Sequence, residues 1–244
     1  MRIIVLSDTH CGHILGLTPK KYQTNELKIT SEFWTWFKSS LGKYDVAIWN
    51  GDLIEGEGKK ESSHHITTDI NKQIEIAAEV INTVNAKRNF FCYGTAYHTG
   101  NIMDYEKVIA DYFGGDIKTK QKLKLKGYNF DIMHHMGKTG TPVGGDISLR
   151  KGGIWSMIYD TIDGRETADY IIRSHAHEYR FLGNEHMTAI ITPSLKLGLP
   201  DYDRYPRRLD GYYSVGFLEF EINKVADWNS KLFKYKISGD YIDV

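Results

Sequence analysis

Short apolar runs recur along the chain, and each stops at a polar side chain that can bind a metal ion or act as an acid or base. The runs lie at about 3–6, 46–49, 90–93, 130–133 and 170–172. Their length, and the glycine and polar residues that follow them, predict β-strands. The side chains beyond their ends are Asp8 and His10, then Asp52, then His98, then His134, and finally His175 and His177.

Between the first strands, apolar residues recur every three to four positions, which predicts amphipathic helices over about 24–41, 68–87 and 103–113. Strands joined by helical crossovers of this length indicate a parallel sheet. Later strands are closer together, with hairpins predicted at Gly127 and at residues 183–184 and final strands near 212–222 and 230–237. We therefore expect an α/β fold, α+β by strand order, whose second sheet packs on the first.

Composition excludes several classes of protein. Of the 244 residues, 41% are hydrophobic and 25% charged, which is typical of globular proteins and fits one domain over 1–244. Apolar runs of four residues are far short of the roughly 20 that span a membrane, so we expect no membrane contact. The 31 basic and 31 acidic residues cancel, which argues against whole-molecule attraction to nucleic acid. The absence of a signal-peptide pattern and the two cysteines favour a reducing cytoplasm.

The acidic and histidine residues at the strand ends carry the chemical signal. Singly, each has an ordinary explanation as a turn, core or surface residue. Together they would be costly to bury in one cleft unless a cation compensated them. Residues two apart share one side of an extended backbone, so Asp8 with His10, and His175 with His177, can each hold one ion or two adjacent ions.

The mixture of carboxylate oxygen and imidazole nitrogen suits manganese, iron or zinc. At least six candidate ligands exceed the four of a structural zinc site, which favours two metal ions that share a carboxylate. Asp52 is the natural bridge, because Gly51 lets the backbone approach closely.

Asp8-x-His10, Gly51-Asp52, a glycine-initiated turn ending in His98, His134 and His175-x-His177 resemble the five ordered blocks of the calcineurin-like metallophosphoesterases. The resemblance covers residues 2 to about 177 and implies that family's four-layer fold, a two-sheet β-sandwich flanked by helices. It also implies two divalent ions, with Mn²⁺ favoured and Zn²⁺, Fe²⁺ or Ni²⁺ as alternatives. The first ion would take Asp8, His10, Asp52 and His177, and the second Asp52, His134 and His175.

One block departs from the family. Where the family has Gly-Asn-His, this chain has Gly94-Thr95-Ala96-Tyr97-His98, which is similar to a divergent branch found often in phages and prophages. His98 is then either the catalytic acid that protonates the leaving group or a metal ligand in the place of the asparagine. Thr95 is a weaker candidate for that place.

The resemblance implies a hydrolase in which a hydroxide bridging two metal ions attacks phosphorus in line. We favour a phosphodiesterase acting on a nucleotide or short nucleic acid. The alternatives are a phosphomonoesterase and a degenerate metal-binding module that holds phosphorylated ligands without turnover. The expected location is cytoplasmic, in the host cytoplasm if the chain is phage-encoded, and the oligomeric state stays open.

Other features have two interpretations each. The alternating lysines of 118–126 indicate an edge strand protected by charge or a track for a nucleic-acid backbone. The basic and aromatic segment 202–208 is a nucleotide contact or an exposed loop. The glycine-rich segment 137–153 is predicted as a flexible loop, with a lid as one use of it. Glu106 either orients a site group or is a solvated helix charge. His135 is an alternative to its neighbour His134, and Cys11 is expected to pack as a small side chain.

Overall fold

The computed structural model describes residues 1–24, 27–57, 64–100, 103–136, 144–199 and 213–235. Its strands are β1 (Arg2–Leu6), β2 (Val46–Asn50), β3 (Arg88–Cys92), β4 (Asp116–Lys118), β5 (Lys120–Leu125), β6 (Tyr128–Met133), β7 (Tyr170–Arg173), β8 (Arg180–Gly183), β9 (Thr188–Ile191), β10 (Gly216–Ile222) and β11 (Ala226–Leu232). Its helices are α1 (Lys28–Ser40), α2 (Ile70–Val84), α3 (Ala96–Thr99), α4 (Tyr105–Tyr112) and α5 (Gly144–Ile162), and a 3₁₀ turn covers Lys20–Tyr22.

The first sheet has the strand order β11-β10-β1-β2-β3-β4. Strands β1 to β4 are parallel, as their helical crossovers predict, and β10 and β11 add an antiparallel pair at one side. The apolar run of β1 is continuous because both of its faces are covered. Ile4 and Leu6 belong to the core on the helix side, whereas Ile3 and Val5 belong to the core between the sheets.

The second sheet has the order β5-β6-β7-β9-β8 and is also mixed. The β5–β6 and β8–β9 pairs are antiparallel hairpins, as predicted, while β6, β7 and β9 run parallel. Phe130 and Ile172 of this sheet share a core with Val5 and Ile48 of the first sheet. The two sheets therefore pack face to face.

Helices cover both outer faces of this sandwich. Phe37 of α1, Val80 of α2 and Ile109 of α4 pack in one core with Trp49 of the first sheet. Leu149 of α5 packs on the outer face of the second sheet. The resulting order of helices, sheet, sheet and helix confirms the predicted mixed α/β class and the two-sheet sandwich flanked by helices. No helix of the described ranges has the length and apolarity needed to cross a membrane.

The predicted loop over 137–153 is wrong for residues 144–153, which form the first half of α5. Residues 137–143, like the segment 202–208, lie outside the described residues. The glycines do not prevent a helix here, because one of them allows α5 to pack closely on the second sheet. A Cβ on Gly153 would lie 2.7 Å from Met187 Cε. The final strand also differs from the prediction, since β11 begins at Ala226 after a short turn.

Candidate metal centre

The polar residues predicted as ligands lie beyond the carboxyl ends of strands from both sheets. Asp8 and His10 follow β1, Asp52 follows β2, and His98 lies on the short helix α3 after β3. From the second sheet, His134 follows β6, and His175 and His177 follow β7. The sandwich brings these strand ends together, because parallel strands deliver their loops to one edge.

The backbone at the site is left-handed rather than extended, so the expected mechanism for pairing residues two apart is wrong. Positive φ angles occur at Asp8 (52°), His10 (43°), Asp52 (54°), His175 (71°) and His177 (55°). Non-glycine residues adopt this region uncommonly and at a cost, and such residues cluster at functional sites. The strand ends therefore turn sharply: Asp8 and His10 fall in one group of ligand atoms, whereas His175 and His177 fall in two different groups.

Asp8, His10 and His177 form what we call the first group. Their ligand atoms lie within 4.8 Å of one another. His177 Nε2 is 3.2 Å from Asp8 Oδ1 and 3.4 Å from His10 Nε2. Asp8 and His10 are buried and His177 is partly exposed, which leaves this group open on one side.

Asp52, His134 and His175 form the second group, again with ligand atoms within 4.8 Å of one another. His134 Nε2 lies 3.0 Å from Asp52 Oδ2, and His175 Nδ1 lies 4.0 Å from the same oxygen. Asp52 also belongs to a third set with His10 and His98. The carboxylate of Asp52 therefore stands between the two groups, where a bridging ligand would be.

The close approach at Asp52 depends on Gly51, as the sequence predicts. Gly51 has a φ of 79°, and a Cβ there would lie 2.7 Å from ring atoms of His134. Its carbonyl accepts a 3.0 Å hydrogen bond from the Asp8 amide, which ties the β1 and β2 strand ends together. A larger residue would separate Asp52 from His134.

Buried atoms without hydrogen-bond partners test whether these residues suit a cation. Among the described residues, the buried atoms that lack a hydrogen bond of adequate geometry include Asp8 Oδ1 and His134 Nε2, which face only the ring or carboxylate atoms of the two groups. The opposite nitrogens of the rings are held: His134 Nδ1 contacts the Asn50 carbonyl at 2.6 Å, and His10 Nδ1 contacts Glu55 Oε2 at 2.8 Å. Such outer contacts fix the tautomer of a metal-binding histidine and leave its Nε2 free. The residues present therefore fit divalent cations.

The electrostatics of the site agree with that fit. Burial would raise the pKa of Asp52, but the imidazoles of His134 and His98 hold it well below its ordinary value. Burial and the neighbouring Lys196 lower the pKa of His10 to about 4. At pH 7 Asp52 is ionised and His10 is neutral, the forms in which these groups bind metal ions.

Burial also opposes the charged form of His134, but Asp52 and Asp8 outweigh it and raise its pKa to about 10. The two carboxylates therefore favour a positive charge beside them, which a bound cation would supply once His134 has lost its proton.

Comparison with known proteins finds similarity only at the level of solved structures. No family model and no curated protein sequence matches the chain. Solved structures similar to it include an archaeal phosphodiesterase (13% identity, 96% of this chain and 100% of that chain, TM-score 0.48). Vps29 from Entamoeba histolytica, complexed with zinc, is also similar (13% identity, 96% and 100%, TM-score 0.45). A predicted phosphoesterase from Streptococcus pneumoniae is a third (12% identity, 94% and 97%, TM-score 0.42).

The fold itself agrees with the resemblance of the sequence blocks to the calcineurin-like metallophosphoesterases. Its two mixed sheets and outer helices are those that the sequence blocks predict. The block that departs from the family, residues 94–98, contacts the shared carboxylate. The Thr95 amide and hydroxyl donate to Asp52 Oδ1 at 2.7 and 2.9 Å, so this threonine orients the shared carboxylate.

His98 lies within the third set, and its ring centroid is 4.7 Å from that of His10. Its Nδ1 contacts the Glu55 carbonyl at 2.5 Å and must donate to it, because a carbonyl only accepts. The remaining nitrogen, Nε2, is available either to a metal ion or to a leaving-group oxygen. Both predicted roles of His98 are therefore compatible with its position.

Two glutamates support the site, and sequence reasoning missed one of them. Glu55 contacts His10 through its carboxylate and His98 through its carbonyl; the available signal was its position three residues after Asp52. Glu106 is fully buried and accepts hydrogen bonds from the amides of Leu53 (3.0 Å) and Gly94 (2.6 Å). It is thus not a solvated helix charge but orients the loops on either side of the shared carboxylate.

The remaining candidates, His135 and Cys11, lie outside the two groups. Unlike its neighbour His134, which is buried against Asp52, His135 is exposed, and its ring lies 4.9 Å from that of His175. Cys11 is buried with Sγ 3.3 Å from the Leu17 carbonyl, as expected of a packed side chain.

The lysine-rich strand is an edge strand, as predicted, but its charges do not form a free track. Lys118 belongs to β4 in the other sheet, so the alternating lysines do not form one continuous face. Lys120 Nζ is 2.7 Å from the buried carboxylate of Asp131, and Lys122 contacts Asp160 of α5. We call Lys120, Lys122, Asp131, Asp160 and Arg173 the α5 charge cluster.

Proposed function

We propose that this chain is a metal-dependent phosphodiesterase with a dinuclear centre that acts on a nucleotide or nucleic-acid phosphodiester. The observation that carries the proposal is the pair of acidic and histidine groups that meet at Asp52, with buried Asp8 Oδ1 and His134 Nε2 lacking hydrogen-bond partners among the described residues. A buried polar atom without a partner is costly, and a cation would remove that cost.

In this proposal the first ion is held by Asp8, His10, Asp52 and His177, and the second by Asp52, His134 and His175. The oxygen and nitrogen ligands favour Mn²⁺, with Zn²⁺, Fe²⁺ and Ni²⁺ as alternatives. When bound, two such ions supply Lewis acidity at the phosphoryl oxygens and lower the pKa of a water molecule to give a nucleophile.

The chain's own residues supply the rest of the chemistry. Thr95 and Glu106 hold the loops so that Asp52 faces both groups. Glu55 fixes the orientation of the His10 and His98 rings through its carboxylate and its carbonyl. His98 Nε2 is positioned to hold a proton for the leaving-group oxygen, with a metal-ligand role as the alternative.

The cations beside the groups support a phosphodiester over a phosphomonoester. Lys196 Nζ faces Glu55 Oε2 at 3.8 Å, and Arg173 Nη2 faces Asp131 Oδ1 at 3.0 Å. Both positive charges are therefore already opposed by carboxylates. A diester carries one negative charge fewer than a fully ionised monoester, so it requires less additional compensation from the protein.

Calorimetric titration of metal-free protein with Mn²⁺, combined with assays on bis(4-nitrophenyl) phosphate and 4-nitrophenyl phosphate, tests this proposal. We expect about two ions per chain, faster turnover of the diester, and loss of both bound ions and activity in Asp52→Asn. Asp227→Asn makes the same chemical change on the exposed strand β11 and should behave like the wild type. Saturation at one ion or fewer would contradict the dinuclear centre, and preferred turnover of the monoester would contradict the phosphodiesterase.

The contacts of Thr95 favour one second candidate, a module that binds metal and phosphorylated ligands without turnover. Thr95, the weaker of the two candidates for the place of the family's asparagine, is used to orient Asp52. That candidate predicts two Mn²⁺ ions and Asp52-dependent binding of phosphate esters, with no hydrolysis of either nitrophenyl substrate.

A further inference from the structure

We propose that a cavity beside the second group binds the nucleobase of the substrate. This inference rests on the proposed phosphodiesterase function and specifies its substrate. The cavity measures about 260 Å³ and lies between the end of β6 and helix α5. It is slightly smaller than the roughly 300–1,000 Å³ of pockets for drug-sized ligands, which suits one planar ring system better than a whole dinucleotide.

The wall that α5 supplies is aromatic. The rings of Trp155 and Tyr159 stack with centroids 5.5 Å apart and an interplanar angle of 24°. Both side chains are about half exposed, at 47% and 55%, although large apolar groups are usually buried. Met133 and Met136 add apolar and polarisable surface to the cavity. Bases of nucleic acids stack on exposed aromatic rings of this kind because every base has a π-face.

The cavity adjoins the metal groups through His135. His135 lines the cavity, and its ring centroid is 4.9 Å from that of His175 in the second group. Met133 directly precedes His134, and Arg173 lies two residues before His175. Lys120 and Arg173 also line the cavity, where both are paired with Asp131. A base in the cavity would therefore belong to a phosphodiester held at the second group.

Gly152 provides an independent observation. It lies within α5 and lines the cavity, and a Cβ built on it would meet no atom within 4 Å. Glycine disfavours a helix interior, so a packing reason is normally expected for it. The next residue, Gly153, has such a reason in its contact with Met187, whereas Gly152 has none among the described residues. Its missing side chain keeps the cavity open.

The test compares two esters with the same leaving group, thymidine 5′-(4-nitrophenyl phosphate) and methyl 4-nitrophenyl phosphate, with Mn²⁺ present. We expect the wild type to prefer the thymidine ester in kcat/KM. Gly152→Leu fills the cavity with a good helix former, and Trp155→Ala removes the stacking surface. Each should lower the ratio of the two kcat/KM values by about 5- to 100-fold, the range typical of one base stacked on an aromatic ring.

Ile154→Ala is the matched control, since Ile154 is 48% exposed on the same helix and does not line the cavity. It should leave both rate constants unchanged. A wild type with equal kcat/KM for both esters would overturn the proposal while leaving the phosphodiesterase intact. A phenyl 4-nitrophenyl ester preferred as strongly as the thymidine ester would overturn the assignment to a nucleobase.

Two further outcomes distinguish this proposal from a failure of the proposed function and from a protein contact at the same surface. Failure to hydrolyse either ester would refute the proposed function itself. In that case, quenching of tryptophan fluorescence by thymidine monophosphate, absent in Trp155→Phe, would still support the cavity as a base-binding site. Concentration-dependent dimers that disappear in Trp155→Ala, with unchanged ester kinetics, would instead assign this surface to a protein contact and overturn the proposal.

Discussion

Buried charge occurs in two places in this protein, the two metal-binding groups and the α5 charge cluster. In the cluster, each carboxylate is matched by cations of the same chain: Asp131 faces Arg173 and Lys120 at 3.0 and 2.7 Å, and Asp160 faces Lys122 as well as Arg165, which lies just after α5. In the metal groups, by contrast, the carboxylates face imidazoles rather than lysine or arginine: Asp8 Oδ1 lies 3.2 Å from His177 Nε2, and Asp52 Oδ2 lies 3.0 Å from His134 Nε2.

The backbone conformation also differs between the metal groups and the charge cluster. The charge cluster lies on the regular elements β5, β6, β7 and α5, whereas five metal-group residues have left-handed φ angles. Charges that balance one another stabilise a fold without an outside partner. Buried carboxylates and imidazoles on a strained backbone, with neither lysine nor arginine in either group, indicate a site arranged for a cation that the chain does not itself provide.

Replacing His98 by alanine at the metal groups should have the largest effect, and it should reduce catalytic activity. As a general acid, His98 contributes roughly 10²–10⁴-fold, and mostly for poor leaving groups. The variant should lose about that much activity on a dinucleotide, whose leaving group is an alkoxide. It should lose little activity on an activated nitrophenyl ester. As a metal ligand, it should lose both activities and recover part of them at high Mn²⁺. Wild-type rates on both substrates across a Mn²⁺ titration would exclude either role.

Breaking the charge cluster should affect stability instead. Arg173→Met leaves the buried carboxylate of Asp131 with less compensation, and removing one partner of a buried ion pair typically costs about 3–5 kcal/mol. Urea unfolding of the metal-free protein measures this loss. The control is Lys124→Met, whose partner Glu166 is exposed, and it should leave the unfolding midpoint unchanged. An equally small effect in both variants would show that the cluster does not stabilise the fold.

The response of stability to metal should distinguish the two places directly. A ligand that binds only the folded state at 100 times its Kd adds about 2.7 kcal/mol. We expect Mn²⁺ to raise the free energy of unfolding of the wild type by about this amount. Asp8→Asn should abolish the increase, and Lys120→Met should keep it. Thermal unfolding with Mn²⁺ or with EDTA gives the comparison, and an increase retained by Asp8→Asn would remove Asp8 from the first ligand set.

Glu106→Gln should have the smallest effect and a characteristic pH dependence. Both oxygens of Glu106 accept amide hydrogens, so the amide group of glutamine would oppose one of them, at a cost of about 1–3 kcal/mol. Burial and the nearby Asp52 raise the pKa of Glu106 from 4.5 to about 7. Wild-type stability should therefore fall as pH rises through that interval, whereas the variant has no such loss.

The difference in stability between wild type and Glu106→Gln should consequently shrink between about pH 5 and pH 8. Urea unfolding at both pH values in EDTA measures this difference. A difference that grows with pH would show that Glu106 is stabilised, not destabilised, in its charged form.

Much of the architecture could be predicted from local patterns. The spacing of apolar residues places the cores of α1, α2 and α4 within a few residues of their observed bounds, because one buried face requires the helical period. Helix α5 was missed because its glycines, such as Gly152 and Gly153, are poor helix formers. Packing against the second sheet overrides that preference, and Leu149 and Gly153 are buried there.

Some residues of the candidate site could be predicted from the sequence and others could not. Asp8, Asp52 and His134 could be found from the sequence, because strand ends that carry carboxylate and imidazole groups converge at one edge. The support from Glu55 and Glu106 could not be found with certainty, because a glutamate on a helix or loop is usually solvated. The alternating lysines of β5 gave no sign that their partners lie on α5.

The sequence by itself therefore determines which chemical groups are present, where most of the strands and the amphipathic helices lie, and which strand ends carry acids and imidazoles. Only the tertiary structure decides which of these groups face one another. His10 and His177 are 167 residues apart, and Lys122 and Asp160 are 38 apart, yet each pair is in contact. The physical reason is that periodicity reflects burial of a single element, whereas compensation of charge depends on the neighbours that packing of two sheets and a helix brings within a few ångströms.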